Sequence, residues 1–127
     1  MKIPYLAALV APVALACCPT VAAQSAAPVA KAYVIAEIVV KNPVAYETYK
    51  AAIGALVRKF KGTYLVRGGD VAEVVDGPPP QGRVVVIEFP SLAAAEAFEH
   101  APETLEASKI RHSSAVSRLY VVEGAKP

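Results

Sequence analysis

The chain has 127 residues, room for one domain and little more, with 13 basic and 11 acidic side chains and a formal net charge of +2. That balance implies neither a basic patch that would track a phosphate backbone nor an acidic tail. Its 2 cysteines both lie before Gln24, so a chain shortened to that point holds no disulfide, no thiolate metal site and no cysteine nucleophile.

Lys2 gives a minimal positive start, an apolar run from Ile3 to Cys18 is broken by Pro4 and Pro12, and Val21-Ala22-Ala23 fits the small-residue pattern before a cleavage point. Residues 1–23 are expected to be a secretory signal peptide, with the mature protein periplasmic or secreted. The alternative of a membrane anchor is weaker, because the run is shorter than the roughly 20 residues that span a bilayer and contains prolines. A lipoprotein is the second alternative: Leu15-Ala16-Cys17-Cys18 resembles a lipobox with Cys18 lipidated, although Cys17 is unusual in that place. Without a disulfide staple, stability must come from burial, which is marginal for roughly 100 residues unless a partner adds to it.

Residues 24–30 are small and polar enough for a flexible lead-in, and the domain is expected over residues 31–124, with residues 125–127 as a tail. Ala32 to Val40 is rich in β-branched residues and predicts a strand. Asn42 and Pro43 then supply a cap and a first helical residue. Tyr46, Tyr49, Ile53, Leu56, Val57 and Phe60 recur at helical spacing, Glu47, Lys50, Arg58, Lys59 and Lys61 lie off that stripe, and Gly62 is placed to end the helix. Thr63 to Arg67 and Val71 to Val75 predict one strand bent or bulged at Gly68-Gly69. After a turn over Asp76 to Gly82, Arg83 to Phe89 predicts the next strand. Ser91 caps a helix from Leu92 to about His100, interrupted by Ala101-Pro102. A further helix to about Ser113 and a last strand from Ser117 to Val122 complete the pattern.

The order β-α-β-β-α-β predicts an α+β, ferredoxin-like fold, with helices on one face of a four-stranded antiparallel sheet. Both alternating sets of the third strand are apolar, Val84 and Val86 on one side and Val85, Ile87 and Phe89 on the other, and the first strand repeats this. A sheet apolar on both faces needs a second cover. A second copy of the chain is the expected one, giving a homodimer.

Ala32-Tyr33-Val34, Asn42-Pro43 with Tyr46 and Tyr49, Leu65-Val66-Arg67-Gly68-Gly69 and the run from Val84 to Ser91 resemble the domain of unknown function 1330 family. The resemblance continues through Ala101-Pro102-Glu103, Arg111 and Leu119 to Gly124, and so covers nearly all of the domain. It implies a dimeric α/β barrel, a fold shared with small oxygenases, isomerases and stress-response proteins, and no settled reaction. Two departures stand out. Family members often carry an aromatic pair before the proline and a tyrosine after Pro-Glu, whereas this chain has Phe98-Glu99 and Thr104. The signal peptide is unusual for a family of mainly cytoplasmic proteins.

Glu88 is the sharpest candidate, because an acid among Val86, Ile87 and Phe89 would be desolvated and able to act as a general acid or base. The structural alternative is an ion pair with Arg67 on the neighbouring strand. Arg67, before two glycines, can face an opening and bind a carboxylate or enolate. Gly68-Gly69 lacks the following helix that a phosphate cradle needs, so a bulge is expected. Tyr33, Tyr46 and Tyr49 are expected on facing elements, where phenols can orient a small substrate or simply pack with a hydroxyl bonded. Catalytic candidates are thus Glu88, Arg67 and Tyr49, and binding candidates Tyr33, Tyr46 and Arg111.

Glu96, Glu99, His100 and Glu103 can be drawn as a metal cluster, but Pro102 breaks the spacing, and solvated helix ends are expected there and at His112. No nucleophile elbow, paired-carboxylate motif or nucleotide loop is present, and no cofactor is implied. Two readings remain. One is an exported homodimer whose pocket between helix and sheet serves a cofactor-independent oxygenase or isomerase type of enzyme. The other is a non-catalytic module that binds a small hydrophobic or acidic molecule, or is structural.

Overall fold

The computed structural model describes Lys2, Pro4, residues 8–12 and residues 27–127. The expected signal peptide, with Cys18 and the junction at Gln24, lies largely outside the described residues. No helix among those described is long and apolar enough to cross a membrane.

The elements run β1 (Ala32–Val40), α1 (Pro43–Lys59), β2 (Thr63–Gly69), β3 (Arg83–Phe89), α2 (Leu92–His100), α3 (Pro102–Ser114) and β4 (Ala115–Glu123). The four strands form one antiparallel sheet in the order β2-β3-β1-β4, which is the ferredoxin-like arrangement. Both anticipated N-caps are made: Asn42 Oδ1 accepts from the Ala45 N–H at 3.1 Å, and Ser91 Oγ from the Ala94 N–H at 3.1 Å.

Three helices cover one sheet face. Val34, Ala36 and Ile38 of β1 and Val85, Ile87 and Phe89 of β3 meet Tyr46, Tyr49, Ile53 and Val57 of α1 and Ala95 and Phe98 of α2 in the core. Phe98 joins the two aromatic neighbours that anchor this core, with ring centroids 5.1 Å from Phe89 and 6.0 Å from Phe60.

Two local expectations are corrected. The end of α1 does not turn on Gly62: Lys61 takes the left-handed conformation at φ 63°, the Lys61 N–H donates to Arg58 O at 3.1 Å and the Gly62 N–H to Val57 O at 2.8 Å. This is a Schellman motif with lysine in the left-handed place. Gly62 is needed for space instead, because a Cβ there would lie 2.8 Å from the Phe89 ring and 2.9 Å from Val57. The second correction concerns Val71 to Val75, which form no strand. β3 begins at Arg83 and Gly69 already pairs with Val84, so the chain beyond Gly69 has no backbone left to pair with.

Opposite the helices, Tyr33, Ile35 and Val39 of β1, Val84 and Val86 of β3, and Val116, Tyr120 and Val122 of β4 share the uncovered face, as their registers require. Val116 is 63% exposed and Tyr120 42%. The two-sided apolar pattern of the strands is therefore real, and one side of it is bare.

Candidate functional site

Arg67 and Glu88, expected as neighbours, lie on opposite faces of the sheet. Thr63 pairs with Glu88, and an unbroken alternation would have kept Arg67 on that side as well. Leu65 is an extra residue between the Tyr64–Ile87 and Val66–Val86 pairs, so Arg67 falls opposite Val85 and turns to the helix face. It also sits opposite a residue three positions from Glu88, about 10 Å along the strand. Glu88 instead bonds Lys31 on the bare face at 2.8 Å and is 23% exposed, and Tyr33, its neighbour on β1, lies on that face with it. Neither reaches the cavity described next. The expectation that Tyr33 faces Tyr46 and Tyr49 fails because odd-numbered residues of β1 point away from α1.

The cavity lies between the first half of α1, the junction of α2 and α3, and the helix face of the sheet near Ile38. It leaves about 40 Å³ for the centres of water-sized molecules, several times what one buried water needs. Three arginines line it, each beside a tyrosine ring: Arg67 at 4.4 Å from the Tyr64 centroid, Arg83 at 5.6 Å from Tyr46 and Arg111 at 5.5 Å from Tyr49. A guanidinium against a ring keeps its N–H edge free to bond an anion. Among the described residues, none of the three has a carboxylate oxygen within 4.0 Å.

Arg111 is the innermost, 7% exposed. Its Nη1 donates to the Tyr49 hydroxyl at 3.1 Å and to Ser108 Oγ at 3.3 Å, and its Nε to Ser117 Oγ at 3.2 Å. Its Nη2 lies 3.3 Å from His112 Nε2, which can accept only when that nitrogen carries no proton. The three hydroxyls are neutral, so they aim the guanidinium without cancelling its charge. Arg83 depends on glycine. Gly68 is a second bulge residue at φ 74°, and a Cβ there would collide with the Arg83 guanidinium.

Among the described residues Glu99 is the lone carboxylate of the lining, and sequence reasoning placed it wrongly among solvated helix ends. Its Oε1 is buried with no partner, as are Arg83 Nε and Thr104 Oγ1, and all three residues line this cavity. Buried polar atoms are nearly always satisfied, so three orphans converging on one space mark a place for a ligand or ordered water. Burial holds the Glu99 carboxyl above its ordinary value of 4.5, against the pull of Arg111 and then of His100. Burial likewise raises the Tyr46, Tyr49 and Tyr64 phenols, so all three stay protonated at neutral pH and can donate.

The remaining residues of the paper metal cluster disperse. Glu103 bonds Lys59 at 2.7 Å, and Glu96 and His100 are exposed. No group of three metal-ligating side chains occurs among the described residues. The signal that could have found the site was the pair of departures from the family pattern, since Glu99 and Thr104 both turn inward.

A family model described as Domain of unknown function (DUF1330) matches residues 31–125. The chain belongs to this family. The DUF1330 chain is similar to a protein of unknown function from Rhodopseudomonas palustris, 25% identical, with a TM-score of 0.59 over 77% of this chain and 85% of that one. It also shares its fold with SnoaB, a cofactor-independent oxygenase from Streptomyces nogalater, at 12% identity and a TM-score of 0.51 over 77% and 96% of the two chains. Nothing among curated proteins matches the DUF1330 chain.

The buried carboxyl has a consequence for stability. Because the folded protein holds the Glu99 proton more tightly than the unfolded chain, the stability due to the neutral acid is complete below the unfolded value and is lost as pH rises through the raised folded value. Glu99→Gln keeps the shape of the neutral acid. It should melt with the parent at acid pH and progressively above it toward neutrality. Scanning fluorimetry over a pH series checks this; curves separated equally at every pH would mean that the carboxyl titrates normally.

Proposed function

We propose that this protein is a cofactor-independent enzyme of the isomerase or oxygenase type that removes a proton from a small anionic substrate to form an enolate. The observation that carries the reading is the convergence of the unpartnered Glu99 carboxylate and the uncompensated Arg111 guanidinium on one cavity. In the step, a carbon–hydrogen bond beside a carbonyl breaks, its proton passes to Glu99, and its electron pair becomes the carbon–carbon double bond of the enolate. The charge that develops on oxygen is met by Arg111 and by the Tyr49 hydroxyl, which accepts from Arg111 and so has its own hydrogen free to donate. Burial raises the affinity of Glu99 for a proton, which suits a base working near neutral pH. Returning the proton to another carbon completes an isomerisation, and the same enolate is the electron-rich species that a cofactor-independent oxygenase presents to dioxygen. The fold shared with SnoaB is compatible with either.

We further propose that the protein is an exported homodimer. The bare sheet face supports the dimer: its central positions are Ile35, Val84, Val86 and Tyr120, with the Lys31–Glu88 and Arg118–Glu37 ion pairs among them. Export rests on the charged, apolar and small-residue order of residues 1–23.

Three outcomes are expected. In deuterium oxide, the protein should speed exchange of the protons beside the carbonyl of at least one of pyruvate, 2-oxoglutarate and levulinate, followed by proton NMR, and Glu99→Gln should lower that acceleration about 10²- to 10⁴-fold without lowering the melting temperature. Binding without any exchange would favour the non-catalytic module. In light scattering, the parent should have the mass of two chains and Val86→Lys that of one; a monomeric parent would remove the dimer. Mass analysis of protein from a secreting host should give a chain beginning at Gln24, and a lipid on Cys18 would replace that reading by the lipoprotein one.

A further inference from the structure

We infer that the ligand of this cavity carries two acidic groups, one seated at Arg111 and a second at the mouth formed by Arg67 and Arg83. The inference rests on the enolate-forming reading above and adds the class of substrate, a short dicarboxylate or oxo-dicarboxylate.

The two positions are distinct places in the fold. Arg83 and Ser117, the serine that holds Arg111 Nε, both pair with Ile38, one on each side of β1. They are therefore two strands apart, about 10 Å between backbones. Arg67 lies on the far side of Arg83 again, on the edge strand β2. The inner end is buried with Arg111, Glu99 and Thr104, whereas Arg67 is exposed. A shallow outer recess lined by Glu47, Lys50, Ala51, Arg67 and Arg83 shares Lys50 and both arginines with the cavity, which identifies them as its mouth.

The charges at the mouth want an anion of their own. Lys50 is matched by Glu47 at 2.7 Å, but Arg67 and Arg83 are not matched by any described carboxylate. Arg83 Nη2 donates to the backbone carbonyl oxygen of Arg67 at 3.5 Å, and each guanidinium stands against a tyrosine of the same cavity. Two guanidinium groups lining one recess, with Arg83 Nε buried and unpartnered, offer a seat for one carboxylate. Because Arg83 and the serine that holds Arg111 stand on opposite sides of β1, that carboxylate is assigned to a second group rather than to the one at Arg111.

The size of the interior sets the rest of the class. Room for the centres of only a few water-sized molecules admits a carboxylate and a short carbon chain, and excludes a fused ring system.

Isothermal titration calorimetry of the purified protein with malonate, succinate, glutarate and adipate, against propionate, butyrate, valerate and hexanoate, tests this. One dicarboxylate length should bind about tenfold or more tightly than the monocarboxylate of similar length, as expected from one added charge-assisted contact. Arg67→Gln, on an exposed side chain, should remove most of that advantage while weakening the monocarboxylates far less; Arg111→Gln should weaken both series. Equal affinity of mono- and dicarboxylates at every length, no binding by any dicarboxylate, or equal weakening of both series by Arg67→Gln would overturn the second anion position. These acids bind without reacting, so the outcome is independent of the exchange experiment. Dicarboxylate preference without exchange removes the chemistry and keeps the site, and exchange without dicarboxylate preference does the reverse.

Discussion

A guanidinium buried without a carboxylate is the constraint on which this architecture turns. Arg111 ties α3 to α1 through Tyr49 and to β4 through Ser117, so the packing of these elements depends on holding one charge in place. The Tyr49 ring beside it and the three hydroxyls that accept from it offset the several kcal/mol that removing an ion from water costs, but none of them supplies an opposite charge. A structural arginine would have acquired an acid as an ion-pair partner. Glu99, in the same cavity, does not approach within ion-pairing distance, and its own burial favours the neutral form. Arg111 is thus hydrogen-bonded but without a counter-charge, and Glu99 Oε1 is left without a partner.

Which side chains reach that cavity is decided by two bulges in β2 rather than by the strand's composition. Leu65 is the residue that sends Arg67 to the helices, and Gly68 is the residue that lets Arg83 pass beneath the strand end. Each bulge costs ladder hydrogen bonds on an edge strand, where the loss is smallest. In exchange the sheet presents two guanidinium groups at one end of a face that is otherwise mostly apolar. The glycine pair is therefore a device for aiming charge, and the absence of a following helix already excluded a phosphate cradle.

The element order was legible because every signal there was local. Asn42 and Ser91 cap the helices they precede, Pro102 separates α2 from α3, and the alternation in β1 and β3 gives strands of the observed length. The site was legible only in part. Tyr46, Tyr49, Arg67 and Arg111 come together, but Glu88 and Tyr33 pair with each other on the bare face, because strands apolar on both sides do not say which side the helices take; Arg67 parts from Glu88 through the inserted Leu65, whose position no periodicity reveals. Val71 to Val75 misled because β-branched composition states what a strand would accept, while pairing requires a partner, and β3 begins only at Arg83, opposite the end of β2. Glu99 was missed because its helix has few residues and ends at a proline, which reads as solvated; only α3 folding back over that end buries it.

The two faces of the sheet divide the work of the molecule. Every residue assigned to the cavity projects from the helix side, and the face proposed to meet a second copy carries Tyr33, Glu88, Glu37 and Arg118, none of which lines it. The ion pairs on that second face are exposed, so they add little to stability and more to the register in which two sheets can meet. What a second copy adds is burial of the valines and tyrosines between them, and with it stiffness in β1 and β3. Those are the strands whose opposite side positions Ile38, Arg83 and Val85 at the floor of the cavity. Association would then support the site by holding its floor rather than by contributing a residue to it.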